Sequence, residues 1–217
     1  MSLLELERLD PPVADPGGPG GPDHPMRKVT VQVAFDPEGW TPERRAKVAD
    51  LFDSLAPEWH TRYGPGRHAP LVDALDRGEV SGDGHCLELG SGVGLTTALL
   101  ADRFEVVHAL DLSIEMLRRS PEEPAPRVLG DSSRLPYPDR SVATIICQNM
   151  LLFPAEVDRV LAPGGALVWV NTSAEFTPIH LTAAEVERAL LGPWDVVASS
   201  AGRGTWAVAR RTHDQGR

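Results

Sequence analysis

The chain is poor in cysteine, in aromatics and in positive charge. Two cysteines occur in 217 residues, Cys86 and Cys147, each inside an apolar run. Two thiols make neither a disulfide framework nor a zinc site, so buried, reduced side chains are expected and no metal is implied. Lys and Arg number 21 against 31 Asp and Glu, a formal charge of −10. Nucleic-acid binding needs a clustered positive field, so no nucleic-acid partner is expected. No apolar run reaches the roughly 18 residues of a membrane span. The start, Met1-Ser-Leu-Leu-Glu-Leu-Glu-Arg8, lacks the basic and apolar regions of a signal peptide, and a cytoplasmic protein is expected.

Glycine and proline are plentiful, 20 of each, and they are unevenly placed. Pro11 to Pro25 holds six Pro and four Gly in fifteen residues, a composition that buries no core. Residues 1–25 read as a disordered tail, with at most a frayed helical turn at Leu3–Leu9. Residues 26–84 read as a mixed strand and helical segment that covers the site. Within it Val29, Val31, Val33 and Phe35 alternate with Thr30, Gln32 and Ala34, which predicts a short strand. Thr41 followed by Pro42 and Glu43 predicts the start of a helix, and a second short helix is expected around Pro70–Leu75.

Residues 85–211 form the core. Cys86–Leu89, Val106–Leu110, Arg127–Leu129, Val142–Cys147 and Ala166–Val170 are short apolar runs rich in β-branched residues. Helical stretches separate them at Leu95–Ala101, Ile114–Arg119 and Ala155–Leu161. This alternation predicts an α/β fold with a parallel sheet covered on both faces. Thr182-Ala-Ala-Glu185 is a capping box opening one more helix. The runs Trp194–Ser199 and Thr205–Arg210 then follow with only a short Gly-containing link. They predict a hairpin, and with it one antiparallel strand.

The chemistry is signalled at three successive strand ends. Glu88-Leu-Gly90-Ser91-Gly92-Val-Gly94 is a glycine loop after a strand and before a helix, suited to close approach of a ligand. Asp111 ends the next strand, where a carboxylate can accept from both hydroxyls of a ribose. Asp131 ends the third, where it can accept from an adenine amino group while the Ser132 amide donates to a ring nitrogen. A nicotinamide-dependent oxidoreductase would share the loop and Asp111, but usually shows Gly-x-Gly-x-x-Gly and has no use for Asp131.

With Asp111-Leu112-Ser-Ile-Glu-Met-Leu117, Gly130-Asp131, Leu135-Pro-Tyr-Pro-Asp139 and Arg159-Val-Leu-Ala-Pro-Gly-Gly165, the stretch from His85 to Val170 resembles a class I S-adenosylmethionine-dependent methyltransferase. It is most similar to the group containing the ubiquinone and menaquinone biosynthesis methyltransferases. The resemblance implies a Rossmann-like, doubly wound, seven-stranded sheet with one antiparallel strand in the C-terminal hairpin. It implies S-adenosyl-L-methionine as cofactor. Gly90, Ser91, Gly92 and Gly94 would line its methionine part, Glu88 would lie near the amino group, Asp111 with Leu112 would hold the ribose, and Asp131 with Ser132 the adenine. Gln148 and Asn149 fall where the family lines the transfer centre, and Tyr63 matches loosely an aromatic that touches the cofactor. One position departs from the pattern: Ala143 stands where an acidic residue is usual. A non-catalytic cofactor-binding protein of the same fold is the alternative reading.

Methyl transfer is an in-line displacement, so positioning supplies most of the acceleration and a base is needed only for a protonated nucleophile. No catalytic dyad is displayed. His60, His68, His180 and Tyr63 are the candidates flanking the core, and His85 and His108 read as structural. The acidic charge favours a small-molecule acceptor, covered by residues 26–84 or by a second copy of the chain in a homodimer.

Overall fold

The computed structural model describes residues 2–11, 21, 23–62, 64 and 66–212. Eight strands form one sheet: β1 (Ser2–Glu5), β2 (His85–Leu89), β3 (Val106–Asp111), β4 (Arg127–Leu129), β5 (Val142–Gln148), β6 (Leu161–Asn171), β7 (Trp194–Ala201) and β8 (Gly204–Arg211). Their order is β1-β7-β8-β6-β5-β2-β3-β4. Strand β8 runs antiparallel to both neighbours, and every other pair is parallel. The expected sheet is therefore present, with β1 added as an eighth strand at its edge.

Alternation along the central strands explains why they bury both faces. Leu87, Leu89, Ile145, Cys147, Leu167 and Trp169 join one core cluster. Cys86, Ile146, Val168 and Val170 join the other. The first cluster also takes Val157 and Val160 of α6 (Pro154–Val160) and Val186 of α7 (Ala183–Ala189). The second takes Leu71 and Leu75 of α3 (Ala69–Arg77) and Leu100 of α4 (Leu95–Ala101). Helix α5 (Ile114–Arg119) contributes Met116 to a smaller cluster with Val93 and Ala56. Both cysteines are free and buried, and burial pushes their thiols well above the usual range.

Two expectations change at the N-terminus. Ser2–Glu5 is no frayed helical turn in a tail but a strand, in register with Asp195–Ala198 of β7. It is fastened by Arg8 donating to the Gly202 carbonyl and by the Gly202 amide donating to Asp10 at 2.6 Å. The remaining Pro/Gly-rich positions, 12–20 and 22, lie outside the described residues. The predicted strand over Val29–Phe35 is a helix, α1 (Pro25–Phe35), capped by His24. Its valines alternate, yet Val29 and Val33 also stand four apart, and with Met26 they meet Leu151, Ile179 and Phe153 as one helical stripe. Packing of that stripe overrides the β-preference of valine.

Helix α2 (Pro42–Leu55) starts as its sequence predicts, with the Thr41 hydroxyl accepting from the Arg44 amide at 3.2 Å. The capping box at Thr182 is formed as well. Among the described residues no helix is long and apolar enough to cross a membrane.

Candidate active site

Strand order reverses between β2 and β5, and in such sheets ligands bind at the carboxyl ends of the strands beside that point. There the structure has a cavity of about 480 Å³. Its lining includes Glu88, Gly90, Ser91, Gly92, Asp111, Leu112, Asp131, Ser132, Gln148 and Asn149, ten of the twelve candidates that the sequence places around the cofactor and the transfer centre. Gly94 lies beneath it: a Cβ there would fall 2.3 Å from the Ser120 hydroxyl, so this glycine lets α4 pack on the end of α5. Tyr63 lies outside the described residues.

The glycine loop works by shape. Gly90, Gly92 and Gly94 all have left-handed backbones, with φ of 72°, 58° and 79°. A Cβ on Gly90 would come within 2.7 Å of the Met150 sulfur. The loop's amides are spent inside the protein. Gly90 and Ser91 donate to the Leu110 carbonyl at 2.8 and 3.1 Å, Gly94 donates to the Ser91 carbonyl, and Gly92 donates to Asp111 at 2.8 Å. A pyrophosphate would meet no row of free N–H groups here.

Carboxylates dominate instead. Asp111 is nearly buried and also accepts from the Ser113 amide at 2.8 Å. Burial raises its carboxyl above the ordinary range, while the amides of Ser113, Gly92 and Leu112 oppose that shift. Glu88 is 2% exposed and accepts from the Thr97 hydroxyl at 2.5 Å. Burial pushes its carboxyl up to about 8, against the Thr97 bond and with the help of nearby Asp111. The Asp131 carboxylate accepts from the Trp40 indole N–H at 3.1 Å to each oxygen and from the Ser133 amide at 2.8 Å. Arg45 stands 3.1 Å from it as an ion pair.

Three buried polar atoms on the cavity wall have no partner among the described residues: the Ser91 and Ser132 hydroxyls and the Gln148 carbonyl oxygen. Such orphans are costly unless a ligand or water completes them. The Gln148 amide nitrogen is held by the Thr96 hydroxyl at 3.0 Å. Asn149 adopts a left-handed backbone, φ 53°, and pairs with Thr172 through two hydrogen bonds of 2.8 and 2.9 Å. This pair ties the end of β5 to the end of β6.

The opposite wall was only partly legible in the sequence. Trp40, Phe52 and Trp59 come from the N-terminal segment, and Leu151, Phe153, Phe176 and Ile179 from the links after β5 and β6. Trp59 packs over the loop, its indole nitrogen 3.4 Å from where a Gly92 Cβ would be. A tryptophan carries no local periodic signal that marks it as a site residue, so the sequence reading passed over both.

The histidine candidates do not converge on the cavity. His60 is exposed, His68 is half-buried outside the lining, and His180 accepts from Arg27 at 2.8 Å. Burial first, then Arg27, hold His180 down to about 4. His108 pairs with the Tyr137 hydroxyl at 3.0 Å, away from the site. The histidine that does line the cavity is His24. Its Nδ1 accepts from the Met26 amide at 3.1 Å, which leaves the proton of the neutral ring on Nε2. Ala143 sits within β5, against Gly84, and not on the lining.

Residues 87–169 match the family described as a methyltransferase domain. The biotin biosynthesis bifunctional protein BioHC of Cellvibrio japonicus (strain Ueda107) is 35% identical over 153 residues, 63% of this chain and 29% of that protein. Demethylmenaquinone methyltransferase of Mycobacterium sp. (strain KMS) is 34% identical over 134 residues, 56% of this chain and 58% of that protein. The chain thus spans less than two thirds of the length of either relative. The DhpI–SAH complex structure superposes with a TM-score of 0.62 at 21% identity, over 76% of this chain and 95% of that one. A SAM-dependent methyltransferase from Aquifex aeolicus gives 0.56 at 18% identity, over 78% and 97%. Residues 87–169, the centre of the sheet, thus match a methyltransferase-domain family, and the fold around them is the one these solved structures share.

Proposed function

We propose that the chain binds S-adenosyl-L-methionine in this cavity and transfers its methyl group to a small-molecule acceptor. The observation that carries the reading is the acidic floor: Asp111 and Asp131, with the Glu88 carboxyl buried beside them, flank a glycine loop whose Gly90, Ser91, Gly92 and Gly94 amides are already donated. Asp111 and Asp131 suit a ligand bearing a sulfonium and an ammonium, and the loop leaves the pyrophosphate of a dinucleotide no row of free amides. The cofactor supplies an electrophilic methyl whose sulfur loses its positive charge as the bond to the acceptor forms. Asp111 holds the ribose, Glu88 faces the amino-acid end, and the orphaned Ser91, Ser132 and Gln148 atoms take the remaining polar groups.

The acceptor lies under the cover, against Leu151, Phe153, Phe176 and Ile179, with Asn149 and Thr172 as its polar neighbours. An apolar or flat body fits that lining. Of the relatives, one is named for demethylmenaquinone and another, from Herminiimonas arsenicoxydans, for malonyl-[acyl-carrier protein]. Asn149 and Thr172 can position a nucleophile there without deprotonating it. The cover is drawn from α1, α2 and the segment up to Trp59 together with the links after β5 and β6, while α3, also within residues 26–84, packs in the body.

Thermal unfolding with added ligand tests the reading. S-adenosylhomocysteine at 100 times its dissociation constant should stabilise the fold by about 2.7 kcal/mol. Stabilisation by NADH with S-adenosylhomocysteine inert would overturn it. Binding without turnover of any acceptor would favour the non-catalytic alternative.

A further inference from the structure

The carboxylate assigned to the adenine amino group is already full. Two carboxylate oxygens offer about four lone-pair sites. On Asp131 the Trp40 indole N–H spans both oxygens, the Ser133 amide takes one, and the Arg45 guanidinium stands on the other. The Ser133 contact is local, made by backbone two residues along. Trp40 and Arg45 come from the cover, 91 and 86 positions away in sequence, and Trp40 is held edge-on against Phe153 with ring centroids 5.3 Å apart. The cover has a second tether that leaves the floor of the cavity untouched. Asp53 of α2 accepts from the Ser113 hydroxyl and, at 3.1 Å, from the Glu115 amide at the start of α5.

We propose that Trp40 and Arg45 form a latch on Asp131 which the exocyclic amino group of the incoming purine must displace, so that these two residues hold down the cofactor affinity while Asp131 keeps the preference for a 6-amino purine. The inference rests on the cofactor reading above and deepens it. A donor can replace a donor on Asp131, so an amino-bearing purine releases the latch and leaves the carboxylate satisfied. A 6-oxo purine brings an acceptor, which cannot take the place of an N–H. Once Trp40 is released the cover stays joined to the body through Asp53, with α2 free to move about that end.

Calorimetric titration of S-adenosylhomocysteine and of S-inosylhomocysteine, its 6-oxo counterpart, into wild type, Trp40→Phe and Arg45→Gln decides the matter. Phenylalanine keeps the ring against Phe153 and removes the N–H. Arg45 is half exposed, so its variant folds whatever its role. S-adenosylhomocysteine should bind Trp40→Phe about fivefold to tenfold more tightly and Arg45→Gln about twofold to threefold more tightly, because less has to be displaced. S-inosylhomocysteine should gain in neither. If wild type binds S-adenosylhomocysteine and both variants bind it equally or more weakly, Trp40 and Arg45 support Asp131 and the latch is wrong. If wild type does not bind S-adenosylhomocysteine at all, the cofactor reading itself fails.

Discussion

Ile145, Ile146, Leu167 and Val168 in the middle of the sheet have no exposed surface, whereas in the fourteen residues of α2 only Val48 is buried. The sheet body is held by apolar area removed from water on two faces. The cover is held by a few side chains and two polar anchors: Asp131 on the cavity floor for Trp40 and Arg45, and the start of α5, off the floor, for Asp53. The body is thus held by its own apolar area, while the cover is fastened through polar groups at the cavity and beside it. Segments with few buried apolar contacts open at lower free energy than a core, so the cover is expected to open before the body does.

The sharpest test of this division is a cavity made in the body. Ile146→Ala should destabilise the fold by about 2–5 kcal/mol in urea denaturation. If it costs no more than truncating an exposed cover residue such as Leu51, the contrast fails. Removal of residues 1–11 comes next. It strips the edge strand and the Arg8 and Asp10 contacts with Gly202, and should lower the melting temperature by several degrees, at about 2–4 °C per kcal/mol for a chain of this size. An unchanged melting temperature would return that segment to the status of a tail.

Asp111→Ala should weaken S-adenosylhomocysteine binding by at least about tenfold in calorimetry, because charge-assisted hydrogen bonds to two hydroxyls are lost. Asp111→Asn should be nearly as poor. Both oxygens accept from amides, of Gly92 and Ser113, so the new NH₂ group must face a donor. Full binding by either variant removes the ribose from this position.

Glu88 gives a pH test within the body. Its folded carboxyl, at about 8, lies above the ordinary carboxylate range, so between those values the native state holds a proton that the unfolded chain has released. Wild-type stability should fall between about pH 5 and pH 8 relative to Glu88→Gln, at no more than about 1.4 kcal/mol per pH unit. Parallel curves for the two proteins would mean that Glu88 is ionised throughout. The smallest effect is expected in the cover. Asp53→Ala removes a side chain shared by Ser113 and Glu115 and should cost about 1 kcal/mol, as lost helix caps do.

The strands and helices of the body could be read from sequence because each carries its own cause. Leu95–Ala101 and Ile114–Arg119 form helices with the bounds their apolar spacing gives. The Thr41 and Thr182 caps are local side-chain bonds, and a short glycine link between two apolar runs leaves only a hairpin. Glu88, the glycine loop, Asp111 and Asp131 were legible for the same reason, since parallel strands bring their carboxyl ends to one edge whatever the rest of the chain does. What the sequence could not decide was decided by contacts far apart along the chain. Ser2–Glu5 is a strand because β7 leaves an edge for it, and Val29–Phe35 is a helix because Leu151 and Ile179 receive one of its faces. Trp40 and Trp59 became site residues only when the cover folded over the loop. Alternating valines fit either periodicity over seven residues, and a partner more than a hundred positions away settles which one buries more apolar surface.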